Sequence, residues 1–292
     1  MEQITNNGKG SRLFNALNIA FLTGVMLLAL YPCYYVLMAS VSDPVQVSNS
    51  GGWLWFPKGF GMYSYMDVLK SRLIWIGYRN TLFYAVCGGV LSVFVTVMAA
   101  FGLSRKTLPG KNILLFLIMV TMYFSGGLIP TYLVVKAFGL IDTPFAMIIP
   151  GLVSTYNLII TITYFRGLPY ELEEAAKIDG ANDYTILFRI MMPLATPIIS
   201  VISLYYMVAI WNNYFTGLIY LNNRSLYSLQ MVLREILIQN DTNAIAANSD
   251  MQVYAENVKY ATIVVSTIPI LCVYPFLQKY FTKGVMIGAI KQ

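Results

Sequence analysis

The sequence predicts an all-α, polytopic membrane protein with about six transmembrane helices. Three observations carry this expectation. Hydrophobic residues make up 58% of 292, above the about 45–50% of a soluble domain. Apolar runs of twenty or more residues recur along the chain, and about 20 apolar residues cross a hydrocarbon core roughly 30 Å thick. Charged residues are only 11%, and they collect between the runs.

The runs place spans at Leu17–Val41, Asn80–Ser104, Asn112–Val135, Pro144–Phe165, Thr196–Tyr220 and Tyr260–Gln278. The first is too long for the apolar part of a signal peptide, and no small-residue cleavage site follows it, so it is expected to be retained. With the N-terminus inside, the inner segments carry eleven Lys and Arg and the outer segments eight. The positive-inside rule then puts both termini in the cytoplasm. The expected organisation is a cytoplasmic segment 1–16, one transmembrane domain 17–280 with a cytoplasmic loop 166–195, and a cytoplasmic tail 281–292. Two outer loops are expected, Ser42–Arg79 and Leu221–Lys259. The first is aromatic ("GGWLWFPKGFGMYSY") and suited to the membrane interface. The second has an exposed polar tip, "QNDTNAIAANSD". No internal repeat or low-complexity tract is evident.

Composition also excludes classes of function. The net charge of +6 is spread thinly, so no basic stripe exists for nucleic acid. Histidine is absent, which removes His-dependent catalysis and His-ligated metals. Cys33, Cys87 and Cys272 lie in apolar runs and read as small buried hydrophobes, with no disulfide framework or metal site among them. No span contains Asp, Glu, Lys or Arg. Proton-coupled transport builds its relay from such groups, so any transport energy is expected to enter elsewhere. Sodium coupling through carbonyls and hydroxyls stays open, which keeps an ion-coupled secondary transporter as the alternative. A membrane-embedded enzyme finds no paired carboxylates to support it.

One stretch breaks the apolar pattern. "YELEEAAKIDGAND", residues 170–183, gathers Glu171, Glu173, Glu174, Lys177, Asp179 and Asp183 in fourteen positions. Pro169 suits a helix start, the glutamates complement the positive end of the dipole, and Gly180 suits a left-handed stop. Leu172, Ala175 and Ala176 share one face at helical spacing, which lets another surface approach closely. A second amphipathic helix is expected from Asn182, a capping residue, with Tyr184, Leu187, Phe188 and Met191 as its apolar stripe and Pro193 at its end.

The order Glu174-Ala175-Ala176, three residues, Gly180, nine residues, Ile190-Met191-Met192-Pro193 resembles the EAA signature of ABC importer permeases. The departure is Met192 in place of leucine. "MYFSGGLIPTYLVVKAFGLIDTPFAMIIP", "WNNYFTGLIYL" and "YPFLQKYFTKGVMIGAIKQ" extend the resemblance to sugar-uptake permeases of the maltose type (MalG-like), closest to the LplC-type subgroup for oligosaccharides and polysaccharide fragments. The resemblance implies that Glu174, Ala175, Ala176, Asp179, Gly180 and Ala181 form a coupling helix against a separate ATPase. It implies further partners: a second, homologous permease in a heterodimer, two ATP-binding subunits, an extracytoplasmic sugar-binding protein and membrane lipid, with no nucleic acid. No G-x-x-x-x-G-K-[ST] occurs here, so no cofactor is expected on this chain, and ATP and Mg belong to the partner subunits.

For the sugar path the candidates are Tyr156, Asn157, Tyr205, Trp211, Asn212 and Tyr214, which offer aromatic faces and amides. Interfacial anchoring and interhelical hydrogen bonding suit the same residues. The resemblance assigns most sugar contacts to the other permease. "SGGLIP" at 125–130 and Pro150-Gly151 interrupt the third and fourth spans. Such breaks serve as hinges or as close-packing points. The apolar ending "GVMIGAIKQ" reads equally as a reach toward the ATPase pair and as a frayed terminus.

Overall fold

A computed structural model describes residues 9–105, 107–246 and 257–272, and every regular element among them is helical. They form two compact units. One takes in 9–70 with 236–246 and 257–265, the other 71–105 with 107–235 and 266–272.

In the first unit α1, Lys9–Ser40, contains the long apolar stretch Leu13–Ser40, the most hydrophobic part of which is left uncovered by the other described residues. Its C-terminal part packs, from Tyr31 onward. Ala39 joins Val47 and Leu54 in a small core flanked by Tyr35, Met38 and Tyr260. Asp43 caps α2, Pro44–Ser48, by accepting from the Val45 and Gln46 N–H groups at 3.0 and 3.2 Å. Pro44 sits at the first turn, where its missing donor costs nothing. Tyr31 lies against Trp53 and Trp55, with ring centroids 5.4 and 5.6 Å away. The expected aromatic outer loop is thus partly ordered, and helix α3, Tyr63–Lys70, follows it.

The second unit begins with α4, Arg72–Ser104, a continuous 33-residue helix that starts eight residues before the expected span. A π-helical stretch at Tyr84–Gly88 lies within it. The expected third span is not one rod. Helices α5, Lys111–Tyr123, and α6, Leu128–Ala137, meet at 116° across Phe124–Gly127. Gly127, at φ 84°, takes a conformation closed to most side chains. The expected fourth span divides too, into a 3-10 turn at Pro144–Met147, an irregular stretch holding Pro150 and Gly151, and α7, Thr155–Arg166. At 12 residues, α7 is roughly 18 Å long at about 1.5 Å per residue, short of a full bilayer core.

Helix α8, Glu171–Ile178, precedes α9, Asp183–Leu194, which bends by 83° into α10, Thr196–Trp211. The fifth span then breaks at Asn212–Tyr214 before α11, Phe215–Tyr220. Asn213 bridges the break, accepting from the Thr216 N–H at 3.1 Å and donating to its hydroxyl at 2.8 Å. Most of the described part of the segment expected as an outer polar loop is α12, Leu229–Ala246. Its buried Leu229, Met231, Val232 and Leu233 supply an apolar face that outweighs the polar tip, whose last residues lie outside the described ones. Helix α13, Asn257–Cys272, covers the described part of the sixth span. Residues 273–278 of that span and the whole tail 281–292 fall outside.

By length and composition, then, the described residues hold two unbroken spanning helices and two bent pairs, not six straight spans. The three cysteines also depart from expectation, since all are exposed on this chain. An apolar side chain facing lipid gains little from burial, so an apolar run in a membrane protein does not foretell an interior position.

The main core joins Val97, Ala100 and Phe101 of α4, Leu158, Ile162 and Phe165 of α7, Ile186, Leu187 and Met191 of α9, and Ile202 and Tyr206 of α10. Close backbone approach matters more here than apolar mass. A Cβ on Gly88 would lie 3.0 Å from Ile210 Cδ1, and one on Gly89 3.1 Å from Met207 Cγ. Where α4 meets the start of α12, a Cβ on Gly77 would lie 3.0 Å from Leu229 Cα and 3.2 Å from Leu229 N, atoms that no rotamer change can move. Gly77→Ala is therefore expected to cost about 1–3 kcal/mol. Gly24→Ala, in α1 with nothing within 4 Å, should gain up to about 1 kcal/mol of helix propensity. Thermal melting in detergent checks both, and equal melting temperatures would contradict the packing argument.

Candidate functional site

The charged stretch folds as a helical knuckle between α7 and α10. Glu171, Glu173 and Glu174 occupy the first turn of α8, where unsatisfied N–H groups and the helix dipole favour carboxylates. The helix ends in a double closure. The Gly180 N–H donates to Lys177 O at 3.0 Å and the Ala181 N–H to Ala176 O at 2.9 Å, with Gly180 at φ 79°. This is the Schellman arrangement that a glycine at this position permits. Asn182 then starts α9, its side chain accepting from the Thr185 N–H at 2.8 Å. Stop and restart both fall where the residue chemistry predicts.

The facing of the side chains differs in part. Glu174, Ala175, Asp179 and Gly180 are exposed, Ala181 is half-buried, and Ile178 is 86% exposed. Ala176 instead turns into the main core, so its methyl does not share the outward face with Leu172 and Ala175. On α9 the expected stripe is also revised. Leu187 and Met191 are buried, but Tyr184 and Phe188 are exposed, and Ile186 takes the interior position. The cause is a π-helical stretch, Ile186–Met191, whose wider turn changes which residues share a face.

Beneath α8 lies a contact that the residue order did not reveal. Glu173 is buried and forms an ion pair with Arg105, at the end of α4. It also takes an i,i+4 pair from Lys177 at 2.8 Å. Asp183 stands 3.9 Å from the same guanidinium, which lies 3.8 Å over the Phe101 ring. Burial lowers the Arg105 guanidinium from its ordinary value, with the charges of Asp183 and Tyr170 acting the other way. Arginine stays protonated at neutral pH after such a shift, so the knuckle is held to the spanning helix by two desolvated opposite charges. In the sequence Glu173 reads only as one of the glutamates at the positive end of the helix dipole. Arg105 lies 68 positions away (173 minus 105), and nothing local links the two.

The candidate pathway residues do not form one cluster. Tyr156 and Tyr205 come together, ring centroids 6.4 Å apart and both exposed. Asn157 and Trp211 are buried. Asn212 donates to Val208 O within its own helix at 3.1 Å, and Tyr214 lies under the Arg234 guanidinium at 5.4 Å. Tyr206, passed over in the sequence, makes the interior polar junction. Its hydroxyl accepts from the Ser154 N–H at 2.9 Å and lies 2.7 Å from the Thr96 hydroxyl, joining α4, α10 and the broken segment before α7.

With this geometry in view, the family of binding-protein-dependent transport system inner membrane components matches residues 74–287. The chain belongs to that family. It is a multi-pass membrane transport permease, not an enzyme, and works in a system that depends on a solute-binding protein. Protein LplC of Bacillus subtilis (strain 168) is 40% identical over 290 residues, covering 98% of this chain and 97% of its own. The polygalacturonan/rhamnogalacturonan transport system permease protein YtcP of the same organism is 40% identical over 286 residues, covering 96% and 99%. Among solved structures, a bacterial ABC transporter involved in import of the acidic polysaccharide alginate contains a chain 34% identical to this permease. It matches with a TM-score of 0.85 over 94% of this chain and 98% of that one. A second alginate-transporter chain, in a complex with a pentasaccharide-bound periplasmic protein, shares the fold at a TM-score of 0.57 and 14% identity, over 96% and 99%.

The buried pair under α8 makes a definite expectation for this permease. Glu173→Leu strands Arg105 and should cost about 3–5 kcal/mol, whereas Glu173→Leu with Arg105→Met should recover most of that loss. Thermal melting of the two variants checks it, and an unaltered single variant would show the pair to be energetically idle.

Proposed function

We propose that this permease is one half of a heterodimer in an ATP-driven importer of an oligosaccharide or polysaccharide fragment, with the α8 knuckle as its coupling element. The reading of the cargo is supported by the names of the full-length relatives and by the alginate transporter. The reading of the coupling is supported by one observation above the others: α8 turns Glu174, Ala175, Ile178, Asp179 and Gly180 outward while Glu173 ties its inner side to α4.

In this reading the loop 166–195 and both termini face the cytoplasm, within one transmembrane domain over 17–280. Two ATPase subunits, which bind ATP and Mg, sit under the two permeases. A sugar-binding protein docks on the opposite side. The exposed Leu172 and Ile178, with the methyl of Ala175 and the bare Gly180 backbone, offer a close-fitting apolar contact, and the carboxylates of Glu174 and Asp179 offer charge partners for a basic groove. Closure of the ATPases around ATP displaces the knuckle. The displacement passes to α4 through Glu173 and Arg105 and to α10 through the bent α9, reorienting the cavity from inside to outside. The uncovered face of α1 is left for lipid or the second permease. Tyr156 and Tyr205, adjacent and exposed, present the aromatic surface a glycan stacks on.

Glu174→Lys reverses an exposed charge without touching the core, and Gly180→Pro removes the φ 79° closure, which proline's fixed φ excludes. Both are expected to insert and to leave ATP hydrolysis measurable in the reconstituted complex, while ATP-driven uptake falls by roughly tenfold or more, the equivalent of about 1.4 kcal/mol of lost coupling. Uptake at the parental rate in both variants would refute the assigned role.

A further inference from the structure

Behind the knuckle lies a cavity of about 380 Å³ whose wall includes Arg105, Lys111, Arg166, Asn112, Tyr170 and Glu173. Among the described residues, three cations and one carboxylate line it. Lys111 uses one donor on Arg105 O at 3.1 Å, and Arg166 one on Leu103 O at 3.4 Å. Each thus meets a carbonyl at the end of α4 and keeps further donors, since an ammonium has three and a guanidinium five. Arg105 is already engaged, its Nη1 on Glu173 and its Nη2 standing 3.9 Å from Asp183, so the donors open to a ligand are those of Lys111 and Arg166. Glu173 offsets one positive charge, so the cavity keeps a net excess of cation.

We propose that this cavity holds the phosphate of an anionic membrane phospholipid. Phosphate is the chemistry that three converging cations select, arginine by its fork and lysine by its point charge. What favours a lipid over a free anion is the helix that begins at the cavity. Lys111 and Asn112 open α5, which has no buried residue. Ile113, Phe116 and Leu117 follow at helical spacing, each more than half exposed. A headgroup seated at Lys111 would lay its acyl chains along that stripe. The 13 residues of α5 are roughly 20 Å long, enough for one leaflet of a core about 30 Å thick. Basic pockets at helix ends on the cytoplasmic side recognise anionic headgroups in this way. The choice of leaflet rests on the orientation proposed above; the cavity and its charge do not.

The test uses the whole transporter complex, purified in mild detergent with an equal mixture of phosphatidylglycerol and phosphatidylcholine and read by native mass spectrometry after stepwise delipidation. The parent complex is expected to retain phosphatidylglycerol selectively. Lys111→Gln with Arg166→Gln should weaken retention about 25-fold, two cations at about fivefold each. The charge-preserving pair Lys111→Arg and Arg166→Lys should keep it. Asn112→Glu, which adds a carboxylate at an exposed position of the wall, should weaken retention without disturbing the core, and serves if the double variant does not fold. Equal retention of phosphatidylcholine, undiminished phosphatidylglycerol in the variants, or displacement of the lipid by millimolar inorganic phosphate alone would each overturn the proposal. Lipid loss from a parent complex that still couples ATP to uptake defeats this site and leaves the coupling reading standing. Retained lipid in a complex indifferent to Glu174→Lys does the reverse.

Discussion

The contact on which the working geometry depends is the buried pair between Glu173 and Arg105. Without it α8 would be a short surface helix held by Ala176 and by its two flanking turns. With it, a helix of eight residues is bound by charge to the end of a helix of 33. Two desolvated ions resist separation more than an apolar contact does, because parting them leaves each charge uncompensated in a poor solvent. A displacement applied to the outward face of α8 is therefore shared with α4 before α8 can come away. The cation–π contact of Arg105 with Phe101 carries the same constraint into the main core.

A second constraint governs the breaks in the spans. Wherever a membrane helix stops, its free backbone groups must find partners inside the protein, since lipid supplies none. The break before α7 is met by Ser154, which caps the helix, and by Tyr206, which accepts the Ser154 N–H. The break after α10 is met by Asn213. The segment leading into α12 is pinned by Asn80, whose side chain donates to Ser225 O at 2.7 Å and Tyr227 O at 3.0 Å, while Thr81 accepts from the Leu229 N–H at 2.8 Å. Each of these three places is thus paired with a polar residue on a neighbouring element or just beside it. Tyr206 and Asn213 neighbour the sugar-path candidates Tyr205, Asn212 and Tyr214 in the sequence, yet their side chains serve the fold by accepting backbone N–H groups.

That distinction separates the candidate site into a legible part and a hidden part. The knuckle was readable because its signals are local. Gly180 and Asn182 act on residues within five positions of themselves, so spacing along the chain is spacing in space. The pathway residues were much less readable. Tyr156 and Tyr205 meet, but Asn157 and Trp211 are buried, a difference set by helices far apart in the chain. The π-helical stretch in α9 misled the assignment of Tyr184 and Phe188, because a period of 3.6 assumes a regular helix.

The residue order by itself determined that the chain is helical, that it lies in a membrane, and where its charged knuckle starts and stops. Those properties follow from transfer of apolar runs out of water and from caps that act within one turn. Only the tertiary structure decided that two spans are bent, that Leu229–Ala246 is a helix rather than a loop, and that Glu173 meets Arg105 across 68 positions. Such pairings depend on which helices come to lie side by side. In lipid, where apolar surface alone discriminates little between partners, that choice rests on glycine contacts and a few buried polar groups.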